Sequence, residues 1–140
     1  MKKALLVALI LTAVILTACS SGGGSPSATI PAPVPADYAG KTNPLAPDAT
    51  TAGAEIFKTN CENCHGPQGH GDGPAGAMLD PTPKNLPELL KMPGAGDDFL
   101  FWRISTGREG TVMIAWNKNN NGTLTDEQIW QVIAFIRTLK

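Results

Sequence analysis

The chain is short of the residues that many functional classes require. It has 2 histidines and 3 cysteines, too few for a metal centre built from many protein ligands. Its 11 basic and 12 acidic residues give a formal charge of −1. With no basic excess to neutralise phosphates, nucleic acid is not an expected partner. No apolar run reaches the length of about 20 residues that crosses a bilayer. There is no alternation of strand and helix patterns and no internal repeat. What the chain has in plenty is Gly (15) and Pro (12) among 140 residues, which points to a loop-rich fold or an unstructured segment. The length suits one domain.

The Gly and Pro are unevenly placed. Met1-Lys2-Lys3 is a short basic start, followed over residues 4–16 by an apolar run of about 13 residues, broken only by Thr12. Leu16-Thr17-Ala18-Cys19 resembles the bacterial lipobox. That resemblance implies a signal peptide over residues 1–18, cleavage before Cys19, and acylation of its sulfur and new amino group. Two or three acyl chains make a stable anchor. A plain signal peptide with an incidental cysteine is the alternative. Residues 19–50 then read as a lipidated flexible tether: Gly22-Gly23-Gly24, a Pro-rich stretch, and no charge before Asp37. The 31 residues after Cys19 reach on the order of 90 Å at ~3.1 Å each. Whether residues 37–47 lie against the domain stays open.

Residues 51–140 remain, a unit small enough to benefit from a covalent or metal staple. Cys61-Glu62-Asn63-Cys64-His65 is a C-x-x-C-H motif, the pattern of c-type haem attachment. Two thiols add across the vinyl groups of one haem edge, and the next residue places an imidazole under the iron. With Cys19 used by lipid, no odd thiol is left over. A thioredoxin-like pair lacks its βαβ context. Zinc held by Cys61, Cys64, His65 and His70 has adjacent ligands at Cys64 and His65 and no second ligand pair at finger spacing. A Cys61–Cys64 disulfide would close a tight, strained loop.

Helical patterns surround the motif. A helix over 52–60 is predicted with Ile56 and Phe57 on one face. Gly53 costs it about 1 kcal/mol relative to Ala, which is best explained by close approach of another helix. A second helix is predicted over 97–106, opened by Asp97 and Asp98 and closed by Gly107. Thr125 and Gln128 form a capping box, and Ile129, Val132, Ile133, Ile136 and Leu139 follow at helical spacing. The segment from Asn117 to Gln128 imitates a calcium-loop frame but has no carboxylate at the key positions, so calcium is not expected.

Together these pieces resemble a bacterial class I cytochrome c over residues 51–140. Gly53-x-x-x-Phe57-x-x-x-Cys61 matches the helix that leads into the motif, and Cys64 to Pro74 matches the glycine-rich loop of one subgroup. Gly110-Thr111-Val112-Met113-Ile114 matches the distal-ligand loop, and Ile133-Ala134-Phe135-Ile136 matches the last helix. The resemblance implies an all-α fold, three main helices with long loops wrapped around one covalently bound haem c. It implies contact of Gly53 and Phe57 with Phe135.

His65 is then the proximal ligand. Met113, between the middle and last helices, is the distal one; Met92 is the runner-up, and His70 lies too close to His65 to cross the haem. Pro74 is the candidate carbonyl for the His65 ring N–H, with Pro81 and Pro83 competing. Trp116, Arg103 and Arg108 are candidates for contact with the propionates, and Met78, Leu86 and Leu100 for the pocket walls. The implied function is a membrane-tethered carrier of single electrons between respiratory or photosynthetic redox proteins, exported and anchored on the outer face of the cytoplasmic membrane. An open-site haem sensor or peroxidase-like enzyme, and a fixed relay subunit of a larger oxidase or quinol-oxidising complex, remain as alternatives.

Overall fold

A computed structural model describes residues 31–45 and 49–140. The signal region, the Leu16-Thr17-Ala18-Cys19 box and the Gly/Ser part of the tether lie outside the described residues. The architecture is all-α: α1 (Thr50–Asn60), α2 (Glu62–His65), α3 (Leu86–Leu90), α4 (Asp97–Thr106) and α5 (Asp126–Ile136). Among the described residues the only β-type pairing is one isolated bridge between Asn117 and Leu124. No described helix is long and apolar enough to cross a membrane.

The helices start and stop for local reasons. Asp97 and Asp98 sit in the first turn of α4, where carboxylates oppose the helix dipole. Gly107 ends that helix at φ 71°, its N–H donating to the Arg103 carbonyl at 2.9 Å. α5 opens with a complete capping box. The Gln128 N–H donates to the Thr125 hydroxyl at 3.2 Å, and the Thr125 N–H to Gln128 Oε1 at 2.9 Å. α5 stops at Ile136, and Leu139 continues from it in a turn. The short α3 has no periodic signal in the sequence. Asn85 caps it by accepting from the Glu88 N–H at 3.0 Å.

α1 and α5 cross at close range, and this contact carries the core. Phe57, Ile129, Val132 and Ile133 are all at most 1% exposed. Phe57 meets Phe135 with ring centroids 5.2 Å apart. The cost of Gly53 is explained here: a Cβ on it would collide with the backbone carbonyl of Gln131. Opposite, Phe101 of α4 stacks on Trp130 of α5 at 4.2 Å.

The described part of the tether contributes to this core. Val34, Tyr38 and Leu45 pack against it. Tyr38 approaches Phe101 at 6.2 Å. The Gly40 N–H donates to Asp98 Oδ2 and the Asn43 N–H to Asp97 Oδ2, both at 3.0 Å, while Asn43 Nδ2 donates to the Trp130 carbonyl at 2.9 Å. The free tether suggested by composition therefore does not extend through residues 34–45. The Asn117 segment is a latch: Asn117 is 3% exposed, accepts from the Asn119 N–H and donates to Asp126.

The α1–α5 crossing is testable. Gly53→Ala places a methyl group against rigid backbone, and overpacking of this kind costs about 1–3 kcal/mol. The denaturation midpoint of the variant should fall accordingly. An unchanged midpoint would contradict the close approach.

Candidate functional site

The motif occupies a single helical turn. No side chain of α2 is fully buried, so its end must be held through its backbone. The last carbonyls of a helix have no partner inside it, and here the glycine-rich loop supplies them. N–H groups of Gly66, Ala75, Gly73 and Gly71 donate to the carbonyls of Glu62 (2.8 Å), Asn63 (2.9 Å), Cys64 (3.2 Å) and His65 (2.8 Å). Loop and turn lie so close that a Cβ at Gly73 would strike the backbone of Glu62 and Asn63. The glycines after the motif are thus the means by which one turn of helix is clasped without side chains.

Beside this turn lies a cavity of about 230 Å³. Cys61, Cys64, His65 and Met113 all line it, and so do Arg103, Arg108 and Trp116. Leu86 and Leu100 form walls as expected. Leu89, Phe99, Ile104 and Ile136 join them, although the sequence did not mark these as walls. Met92 is not among the lining residues. Neither is Met78, which is 84% exposed on a 3-10 turn (Gly76–Met78), so its expected place in the wall is corrected. His70 is exposed, outside the cavity, with Nε2 near the Lys140 carbonyl, so the four-residue zinc set is not assembled. Cys61 and Cys64 are not joined in a disulfide.

The expected role of Pro74 is also corrected. Pro74 is exposed and does not line the cavity. The His65 ring nitrogen Nδ1 lies 3.3 Å from the Lys84 carbonyl, one residue beyond Pro83. Any residue supplies a backbone carbonyl, so nothing in the sequence marks Lys84. With Nδ1–H donating there, Nε2 keeps its lone pair for a metal. Burial lowers the His65 pKa below its ordinary value, against the opposing pull of the Lys84 carbonyl. Burial thus favours the neutral ring, the form that ligates a metal. Burial, and then the neighbouring Cys64, push the Cys61 thiol up to about 12.

Arg103 and Arg108 share the same wall. Burial, and then the charge of Arg108, lower the pKa of Arg103. The Arg103 guanidinium lies 3.8 Å from the Trp102 ring centroid, and neither arginine has a carboxylate partner among the described residues. The Arg103 and Arg108 guanidiniums, on a wall that apart from Lys84 is otherwise mostly apolar, suit the two carboxylates of a haem. The residues present thus fit the group: two thiols for thioether bonds, an oriented imidazole, a thioether sulfur in the same cavity, apolar walls and two guanidiniums. The attachment is checked by acid–acetone extraction of the denatured protein, from which the colour should not extract. Cys61→Ala combined with Cys64→Ala should release it.

Comparison with known proteins agrees with this geometry. The cytochrome c family model matches residues 50–140. The chain is 34% identical over 107 residues to the cbb3-type cytochrome c oxidase subunit FixP of Azorhizobium caulinodans, covering 74% of this chain and 33% of that protein. It is 34% identical over 65 residues to photosystem II extrinsic protein V of Gloeobacter violaceus, covering 46% of this chain and 31% of that protein. The chain thus spans about a third of the length of these relatives. Among solved structures, a chain of the reducing HAO-like protein complex of Kuenenia stuttgartiensis superposes with TM-score 0.57 at 28% identity, covering 69% of this chain and 46% of that one. With the family model spanning the whole region that holds the C-x-x-C-H turn and its cavity, the chain belongs to the cytochrome c family and binds haem c covalently through Cys61 and Cys64.

Proposed function

We propose that this protein is a carrier of single electrons, with iron held between His65 and Met113, and that acylated Cys19 anchors it on the outer face of the cytoplasmic membrane. The observation that carries the first part is the composition of the cavity. Among the described residues Met113 is the only methionine that lines it, in company with His65 and both motif cysteines. Bound haem c supplies a reversible one-electron change at its iron. The chain's own residues do the rest. His65 is oriented by the Lys84 carbonyl, the apolar walls exclude water, and a thioether ligand favours the reduced state. The Thr111 hydroxyl fixes the approach of Met113 by accepting from its N–H at 3.2 Å. With His65 and Met113 both holding the iron, no open position would remain for a substrate, which favours a carrier over a sensor or peroxidase-like enzyme.

Val112 and Ile114 flank the ligand, line the cavity and are 60% and 62% exposed. They give the cavity mouth an apolar rim of the kind suited to small, transient redox contacts. The relatives named as an oxidase subunit and as a photosystem protein support a second form of the same role, a relay within a larger complex. Isolation in mild detergent distinguishes the two, yielding one polypeptide for a shuttle and several for a subunit. The anchor reading rests on the Leu16-Thr17-Ala18-Cys19 box and the charge-free stretch after it.

The ligand assignment predicts that Met113→Ala abolishes the weak far-red band of methionine-ligated ferric haem, lowers the reduction potential and lets ferrous haem bind carbon monoxide. Met92→Ala should do none of these. The reverse pattern would move the ligand to Met92, and stoichiometric carbon monoxide binding by the unmutated protein would favour the sensor reading. For the anchor, Cys19→Ser should release the chain from the membrane fraction or leave an uncleaved precursor. Unchanged processing and retention would contradict it.

A further inference from the structure

Residues 34–45 lie outside the span matched to the family, yet they are fastened to the domain at several points. The segment begins with a turn in which the N–H groups of Tyr38 and Ala39 both donate to the Pro35 carbonyl at 2.9 Å. It then crosses the start of α4 and the middle of α5. The carboxylates of Asp97 and Asp98 accept the N–H groups of Asn43 and Gly40, and Asn43 Nδ2 reaches the Trp130 carbonyl. The other oxygen of Asp97 takes Arg137 at 2.8 Å, so one carboxylate ties this segment, α4 and the end of α5 together. Just ahead of the turn, Pro31 and Ala32 line the same cavity as His65 and Met113. Pro31, where the described residues begin, therefore sits at the cavity and not at the start of α1.

We propose that residues 34–45 are a strap that fixes where the tether departs, so that a chain anchored at Cys19 holds its haem cavity at the membrane-facing side of the domain. The proposal rests on the Cys19 anchor. Its physical content is a change in reach. A tether free as far as Thr50 extends on the order of 90 Å. With the strap docked, twelve steps separate Cys19 from Pro31, and they span about 37 Å at the same ~3.1 Å each. The partner that fits is a membrane-embedded redox protein that accepts or donates electrons close to the lipid surface, within that radius, where the short tether also raises the effective concentration.

Two insertions of ten Gly/Ser residues into the full lipidated chain test this, with the chain bound to phosphatidylethanolamine/phosphatidylglycerol vesicles that carry a headgroup dye. Haem quenches the dye in proportion to its nearness. An insertion after Gly23 should weaken the quenching. An insertion after Pro47, on the domain side of the strap, should leave it unchanged. Equal losses from the two insertions would overturn the strap, because they are the signature of a tether free to Thr50. Amide exchange on the soluble holoprotein gives an independent reading. The Gly40 and Asn43 N–H groups should exchange at least roughly tenfold more slowly than in an unfolded chain. Unprotected amides would likewise overturn it. A chain that does not float with the vesicles would instead overturn the anchor, and the proposal with it, while protected amides would still show the strap docked.

Discussion

One turn of helix has to present two sulfurs and an imidazole to the same group, and the rest of the domain is organised around that requirement. Glu62–His65 is too short to be stable alone and has no fully buried side chain to hold it. It persists because its terminal carbonyls are taken by loop N–H groups and its lining side chains face an apolar cavity. Glycine is needed where the loop meets the turn, since any side chain at Gly73 would push the two apart. The imidazole adds a further condition. Its Nδ1 is committed to the Lys84 carbonyl, which fixes the ring plane and the tautomer together.

The cavity is continuous with the core. Phe57, Leu86, Phe99, Leu100, Ile104 and Ile136 belong to the buried cluster and also line the cavity. Haem thus completes the core of a domain of roughly 90 residues, a size at which burial alone leaves little margin. The α1–α5 contact stands on the other side of the same side chains: Phe57 touches Phe135 and lines the cavity as well. Packing and cofactor binding are therefore coupled through shared residues.

The features that could be read from sequence are those in which residue type carries the physics. Two acidic residues and a glycine bound α4 to the residue, Thr125 and Gln128 mark the start of α5, and Gly53 marks a helix crossing. The C-x-x-C-H spacing gives the attachment chemistry directly. The features that escaped depend on backbone groups or on tertiary docking. The acceptor for His65 is a carbonyl, which Lys84 shares with every residue, so attention fell on the prolines. The strap is held largely through the N–H groups of Gly40 and Asn43 and one tyrosine, with no periodicity, and its prolines make it look like free chain. α3 is five residues long, shorter than any window in which helical spacing is visible. Met78 looks like a wall residue from its apolar side chain alone, but the 3-10 turn carries it outward.

The central claim is that His65 and Met113 face one iron in one cavity. The most direct measurement is a methyl spectrum of the ferrous protein grown with methyl-labelled methionine. A methionine methyl bound over the haem plane is shifted far upfield by the ring current, away from every other methyl. The account predicts one such resonance, assigned to Met113 because it alone disappears in Met113→Leu. A spectrum with no upfield methyl, or one in which the shifted resonance belongs to Met92 or Met78, would contradict it.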